Sequence, residues 1–120
     1  MRRWRLSPQP AAVFGSPTVL ALLSGVGTQH LAASYLDAMH RLMPATFCTV
    51  FAVGPDGRIA TVSGASSYGS TAERTAERYV AQRFDLLDPN MVWLAARPLP
   101  KRAQLWLGHQ RAEEVADPAY

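Results

Sequence analysis

The sequence predicts an α+β fold, a small antiparallel sheet flanked by helices, on three observations. Between Thr46 and Ser63 an aromatic and β-branched run, TFCTVFAV, is followed by Pro55-Asp56-Gly57 and a second extended run, the pattern of a β-hairpin. From Thr28 to Met43 apolar residues recur at three- and four-residue steps, as on one face of a helix. From Ser70 to Arg97 the segment STAERTAERYVAQRFDLLDPNMVWLAAR reads as two helices joined by a short acidic linker centred on Asp88-Pro89.

Taken in order, residues 1–17 mix arginine, proline and small side chains without periodicity, so a disordered basic arm is expected ahead of one domain over 18–120. Thr18 to Leu23 suits a short helix ended by Gly25 or Gly27. In the helix from Thr28, the stripe is expected to be Leu31, Tyr35, Ala38, Met39 and Leu42, and Pro44 ends it. The strand Thr46–Val53 is apolar on both faces, as a strand covered on both sides must be. Arg58–Ser63 is its partner, and Gly64 to Gly69 is a loop of small polar residues.

Ser70-Thr71-Ala72-Glu73 has the capping-box pattern, and Ala72, Ala76, Tyr79, Val80 and Phe84 form the buried stripe of the helix that it opens. Asp88 is a good N-cap and Pro89 a good first helical residue, because its missing N–H has no intrahelical partner to lose. That helix is expected to run to Arg97 and stop before Pro98. Ala103 to Leu107 alternates as a third strand, and Gln110 to Ala116 carries the acidic residues of an early helical turn.

Composition narrows the function classes. The 120 residues are 48% apolar, ordinary for a single globular domain. A net charge of +3 arises from 12 basic and 9 acidic residues, and Arg2, Arg3 and Arg5 account for the excess. The rest is balanced, without the broad basic face that phosphate-backbone binding needs, and no helix-turn-helix is read in it, so no direct DNA binding by this chain, and no specific promoter binding, is expected. The apolar run Val19–Val26 is interrupted by Ser24 and Gly25 and falls short of the ~20 residues of a membrane span. Early prolines break the pattern of an export signal, and the single cysteine, Cys48, suits a reducing compartment; a cytoplasmic location is expected.

Tyr79, followed nine residues later by Asp88-Pro89, resembles the ligand-pocket signature of the sensor domain of LuxR-type transcriptional regulators. Thr75 stands where the family's quorum-sensing members carry a tryptophan. The closer resemblance is therefore to LuxR-like regulators of unassigned ligand, whose sensor domains show a tyrosine-bearing helix, Leu-Leu-Asp-Pro, a further helix and a Leu-rich strand. Residues 28–120 follow that order, with Leu86-Leu87-Asp88-Pro89 at its centre. The resemblance implies an incomplete GAF- or PAS-like sandwich, a partial ligand-sensing domain truncated before the DNA-binding head. It further implies a homodimer or a heterodimer with a full-length regulator, and a small apolar ligand. The residues expected around that ligand are Tyr79 and Asp88, joined by Trp93, Trp106 and Tyr68 as aromatic lining. Each aromatic suits an ordinary core equally well.

No enzyme, metal or cofactor is expected. His30 and His40 point about 80° apart on one helix with no third ligand near in sequence. The glycines match neither the phosphate-loop nor the dinucleotide pattern, and Gly64 to Gly69 has the wrong spacing for a nucleophile elbow. Cys48 in an apolar strand reads as a small filler, and Asp85 and Asp88 as linker and cap. The alternative to a sensing domain is a non-sensing structural or interaction module that acts by association.

Overall fold

The turn at Gly54–Arg58 is closed twice: Gly54 N–H donates to Arg58 O at 2.8 Å, and Asp56 Oδ1 accepts from Arg58 N–H at 3.0 Å. Gly57 sits there at φ +75°, a conformation that glycine adopts without steric cost. The computed structural model describes residues 2–6 and 17–114. It is α+β, with four α-helices and two antiparallel two-stranded sheets among the described residues. The chain divides into two units, one of residues 10–82 and one of residues 1–9 with 83–120.

In the first unit α1 spans Pro17–Ser24 and α2 spans Leu31–His40. The turn above joins β2, Phe47–Val53, to β3, Ile59–Ser66, and α3 follows over Thr71–Ala81. The hairpin predicted from the sequence therefore forms, and its second strand runs three residues further than expected, so that Gly64–Ser66 belong to the strand and not to the loop read from Gly64 to Gly69. Its register shifts between Val50 and Phe51, where Val50 faces Ser63 but Phe51 faces Thr61. Consecutive strand residues address opposite faces. Ser63 turns to α2, accepting the Ala32 N–H at 3.0 Å and donating to Gln29 O at 2.7 Å. Gly64 lies beneath α3, where an added Cβ would meet Glu73 and Ala72 at 3.6–3.7 Å. The two helices thus cover opposite faces of one hairpin, which is why its strands are apolar on both sides.

Among the described residues the buried apolar side chains are Ala32, Leu36, Ala38, Ile59, Ala72 and Ala76, all in this unit. Four are alanines, which let helix and strand backbones approach closely but bury little area each. The stripe on α2 is rotated from the expected one: Ala32 and Leu36 face inward, while Tyr35 is 45% exposed. Ser63 seats the first turn of α2 in that rotation, its hydroxyl accepting the Ala32 N–H and donating to Gln29 O. On α3, Ala72 and Ala76 are buried and Tyr79 and Val80 half-buried, as expected; Phe84 lies beyond the helix. The capping box is not made. Ser70 has φ −92° and ψ 21° and makes no side-chain cap, and it is Thr71 Oγ1 that donates back to Tyr68 O at 2.8 Å.

The second unit contains β1, Arg2–Leu6, and β4, Leu105–His109, paired antiparallel from Arg2 with His109 to Leu6 with Leu105. A 3-10 turn spans Phe84–Leu86, α4 spans Pro89–Ala95, and a second 3-10 turn spans Ala112–Glu114. Two expectations change here. The arm read as loose is a strand over Arg2–Leu6, and residues 7–16 lie outside the described ones. The third strand joins β1 instead of the hairpin, so the single three-stranded sheet becomes two sheets of two. Of the helix expected over Gln110–Ala116, only the turn Ala112–Glu114 is described. No helix among the described residues is long and apolar enough to cross a membrane.

Candidate functional site

Period-two alternation along β1 and β4 gives their ladder two chemically different faces. Arg3 and Trp106 belong to one face, and Arg2, Trp4 and His109 to the other.

On the first face, α4 supplies the partners. Trp93 and Trp106 meet edge to face with centroids 5.0 Å apart and planes at 73°. Arg3 lies over Trp93 at 4.7 Å, and Arg97 lies 4.6 Å from Trp93 and 5.1 Å from Trp106. Guanidinium planes on indole faces are among the better cation–π contacts, and here two cations and two rings form one stack. Arg3 is further anchored by Nη2, which donates to Pro89 O at 3.1 Å. Trp106 Nε1 donates to Gln104 Oε1 at 3.3 Å. Below the stack, Asn90 Nδ2 donates to Gln110 Oε1 at 3.4 Å, and Gly108 lets Asn90 come close, since a Cβ there would stand 3.0 Å from its Oδ1. Two buried N–H groups, Arg3 Nε and Gln110 Nε2, have no acceptor among the described residues.

Asp88 is the N-cap of α4, with φ −68° and ψ 115°, and its Oδ1 accepts the Asn90 N–H at 2.8 Å. The Asp-Pro pair therefore fixes the start of the helix that carries Trp93. Asp88→Ala is expected to cost about 1 kcal/mol, whereas Asp88→Asn and Asp88→Ser keep an acceptor and stay within a few tenths of wild type. Urea titrations of the three variants check this. A loss in Asp88→Asn as large as in Asp88→Ala would mean that the carboxylate charge matters beyond the cap.

On the second face, Arg2, Trp4, His109, Arg111 and Glu114 line a cleft of about 310 Å3. Arg2 and His109 are direct cross-strand neighbours, and Trp4 lies two residues along from Arg2 on the same side. Trp4 is 44% exposed. Glu114 Oε2 accepts the Arg111 N–H at 2.8 Å, which folds the segment after β4 back along the cleft.

The residues expected to surround a ligand are divided between the units. Trp93 and Trp106 come together as described, on the helix that Asp88 caps. Tyr79 belongs to the first unit, stacked on Phe51 with centroids 5.0 Å apart and planes at 25°. Tyr68, also in that unit, is 69% exposed between β3 and α3. Sequence reasoning did not bring Arg2, Trp4, His109 and Arg111 together because their juxtaposition depends on a pairing across nearly the whole chain. The one local signal was the alternation Arg2-x-Trp4 and Leu107-x-His109.

Burial pushes the Cys48 thiol up, which disfavours the thiolate. His40 Nε2 and Ser67 Oγ lie 3.4 Å apart on the surface, at the limit of a hydrogen bond. No group of three or more His, Cys, Asp or Glu suited to a metal ion occurs among the described residues. In comparisons with protein families, curated proteins and solved structures, nothing matches the chain.

Proposed function

We propose that the chain is an association and small-molecule-binding domain of the kind that forms the sensor half of LuxR-type regulators, with a GAF- or PAS-like arrangement completed by a partner chain. The observation that carries this reading is the balance of apolar surface. Six apolar side chains are buried among the described residues, the largest being Leu36 and Ile59, while eighteen large ones are exposed. Scattered exposed leucines are ordinary, but here they occur on nearly every element, including Leu20 and Leu23 of α1, Phe47 and Val53 of β2, Val92 and Leu94 of α4, and Leu105 and Leu107 of β4. Both sheets, having two strands, also leave an unpaired edge on every strand among the described residues. A second copy or a full-length regulator would cover such surfaces. The order of tyrosine-bearing helix, Leu86-Leu87-Asp88-Pro89, helix and strand supports the family reading.

The expected result is a mass that rises from the 13.1 kDa monomer toward the dimer as the concentration is raised through the micromolar range, as read by sedimentation equilibrium. A strictly monomeric, dispersed species over that range, with no capture of a full-length LuxR-type regulator, would overturn the reading.

A further inference from the structure

The fold redistributes a charge that looked trivial in the sequence. The unit of residues 1–9 and 83–120 contains eight of the twelve basic residues, five of the nine acidic ones and all three tryptophans. The unit of residues 10–82 contains four of each charge and no tryptophan. The net charge of +3 is therefore confined to the unit in which Arg2 and Trp4, far from being a loose arm, are fixed on a strand beside His109.

We propose that the cleft lined by Arg2, Trp4, His109, Arg111 and Glu114 takes one nucleotide of a single-stranded nucleic acid, its base stacked on Trp4 and the phosphates on either side of it held one by Arg2 and one by Arg111. This does not rest on the association reading. The cleft, about 310 Å3, combines an exposed indole with two guanidiniums and an imidazole, the combination by which sheets and grooves hold unpaired strands. Glu114 sets one negative charge against the two arginines, and its Oε2 is engaged by the Arg111 N–H. Duplex DNA presents no free base face to Trp4, so an unpaired strand is the occupant. An acidic peptide would satisfy the arginines but leave the indole without a flat partner. The stack of Arg3, Trp93, Arg97 and Trp106 on the opposite face of the ladder holds β1 in place.

The test is fluorescence anisotropy of the full chain with a labelled oligothymidylate of about fifteen nucleotides, between about 50 and 200 mM salt. Binding is expected with Kd on the order of 10⁻⁶ to 10⁻⁴ M, and with a log–log salt slope of about −1.4 if two phosphates are engaged. Trp4→Ala is expected to weaken it about 5- to 150-fold, whereas Trp4→Phe retains a stacking face and most of the affinity. Arg111→Gln is expected to reduce the slope by about 0.7, and Arg58→Gln, in the other unit, to leave binding unchanged. Circular dichroism and thermal melts confirm that each variant is folded. Absence of binding at the lowest salt would overturn the proposal. So would affinity untouched by both Trp4→Ala and Arg111→Gln, or a duplex or polyglutamate that competes as well as the single strand.

Discussion

Arg83→Ala is expected to destabilise the protein by about 2–4 kcal/mol and to remove the part of its acid sensitivity that Asp85 contributes. Asp85 is one of the most buried side chains in its unit, and Arg83 is its counter-ion: Nε donates to Oδ1 and Nη2 to Oδ2, both at 3.0 Å. The Arg83 side chain is itself partly open to solvent, which places the expected loss toward the lower part of the range for broken buried pairs. The hydrogen bonds from Arg83, assisted by its charge and opposed by burial, hold the Asp85 carboxyl below its ordinary value of 3.8. A carboxyl lowered in the folded state stabilises fully above the unfolded value and loses that stabilisation as pH falls through the folded one. In wild type this acid limb lies below pH 3.8, and in Arg83→Ala it is absent or reversed, because an uncompensated buried carboxylate gains from protonation. The gap between the two proteins should therefore narrow on acidification, as read from urea midpoints at pH 7 and pH 3. Arg83 also sits at φ +53°, the single non-glycine residue with positive φ among the described ones. Arg83→Gly, which loses the same ion pair but relieves that backbone, is expected to be about 1–2 kcal/mol more stable than Arg83→Ala. Equal losses in the two variants would show that the left-handed conformation is unstrained.

Ser63→Ala carries the second large effect, about 2–3 kcal/mol, corresponding to a fall in Tm of several degrees. Ser63 is buried, and its hydroxyl is at once the donor to Gln29 O and the acceptor for the Ala32 N–H. Alanine leaves both backbone groups without that partner at the point where α2 meets the hairpin. Ser63→Thr keeps the hydroxyl, suits a strand, and is expected to restore most of the loss. Faster hydrogen exchange at Ala32 in Ser63→Ala, with exchange at the β2–β3 ladder less affected, checks the mechanism. A melt unchanged from wild type would mean that α2 is held by its apolar contacts alone.

The parts of the fold legible in the sequence are those whose cause is local. Pro55-Asp56-Gly57 turns the hairpin because Gly57 needs a positive φ and Asp56 closes the turn. Asp88 caps because its carboxylate is two residues from the N–H that it accepts. Both signals act over a few residues and survive whatever packs around them. Ser70 failed as a capping box because its backbone lies outside the extended region from which a side chain reaches the first-turn N–H groups, while Thr71 found a closer acceptor in Tyr68 O. The rotation of α2 was hidden because Ala32 carries no strong apolar signal. Its buried position goes with a backbone N–H that donates to Ser63 Oγ, a contact that no hydrophobic periodicity records. For the site, the sequence marked Trp93, Trp106 and Asp88, which adjoin along α4 and β4. It could not mark Arg2 and Trp4, whose neighbours lie about a hundred positions away and leave no trace in local periodicity.

That separation also governs how the chain is made. Leu6 and Leu105, the innermost pair of the β1–β4 ladder, stand 99 positions apart, so the strand RRWRL leaves the ribosome long before its mate exists. At translation rates of about 5–20 residues per second the delay is roughly 5–20 s, ample time for residues 10–82, contiguous in sequence, to fold in the interval. An orphan strand waiting that long invites other nascent chains to pair with it. Three arginines in five residues repel a second copy of themselves, so Arg2, Arg3 and Arg5 are expected to disfavour pairing between two such unpaired strands.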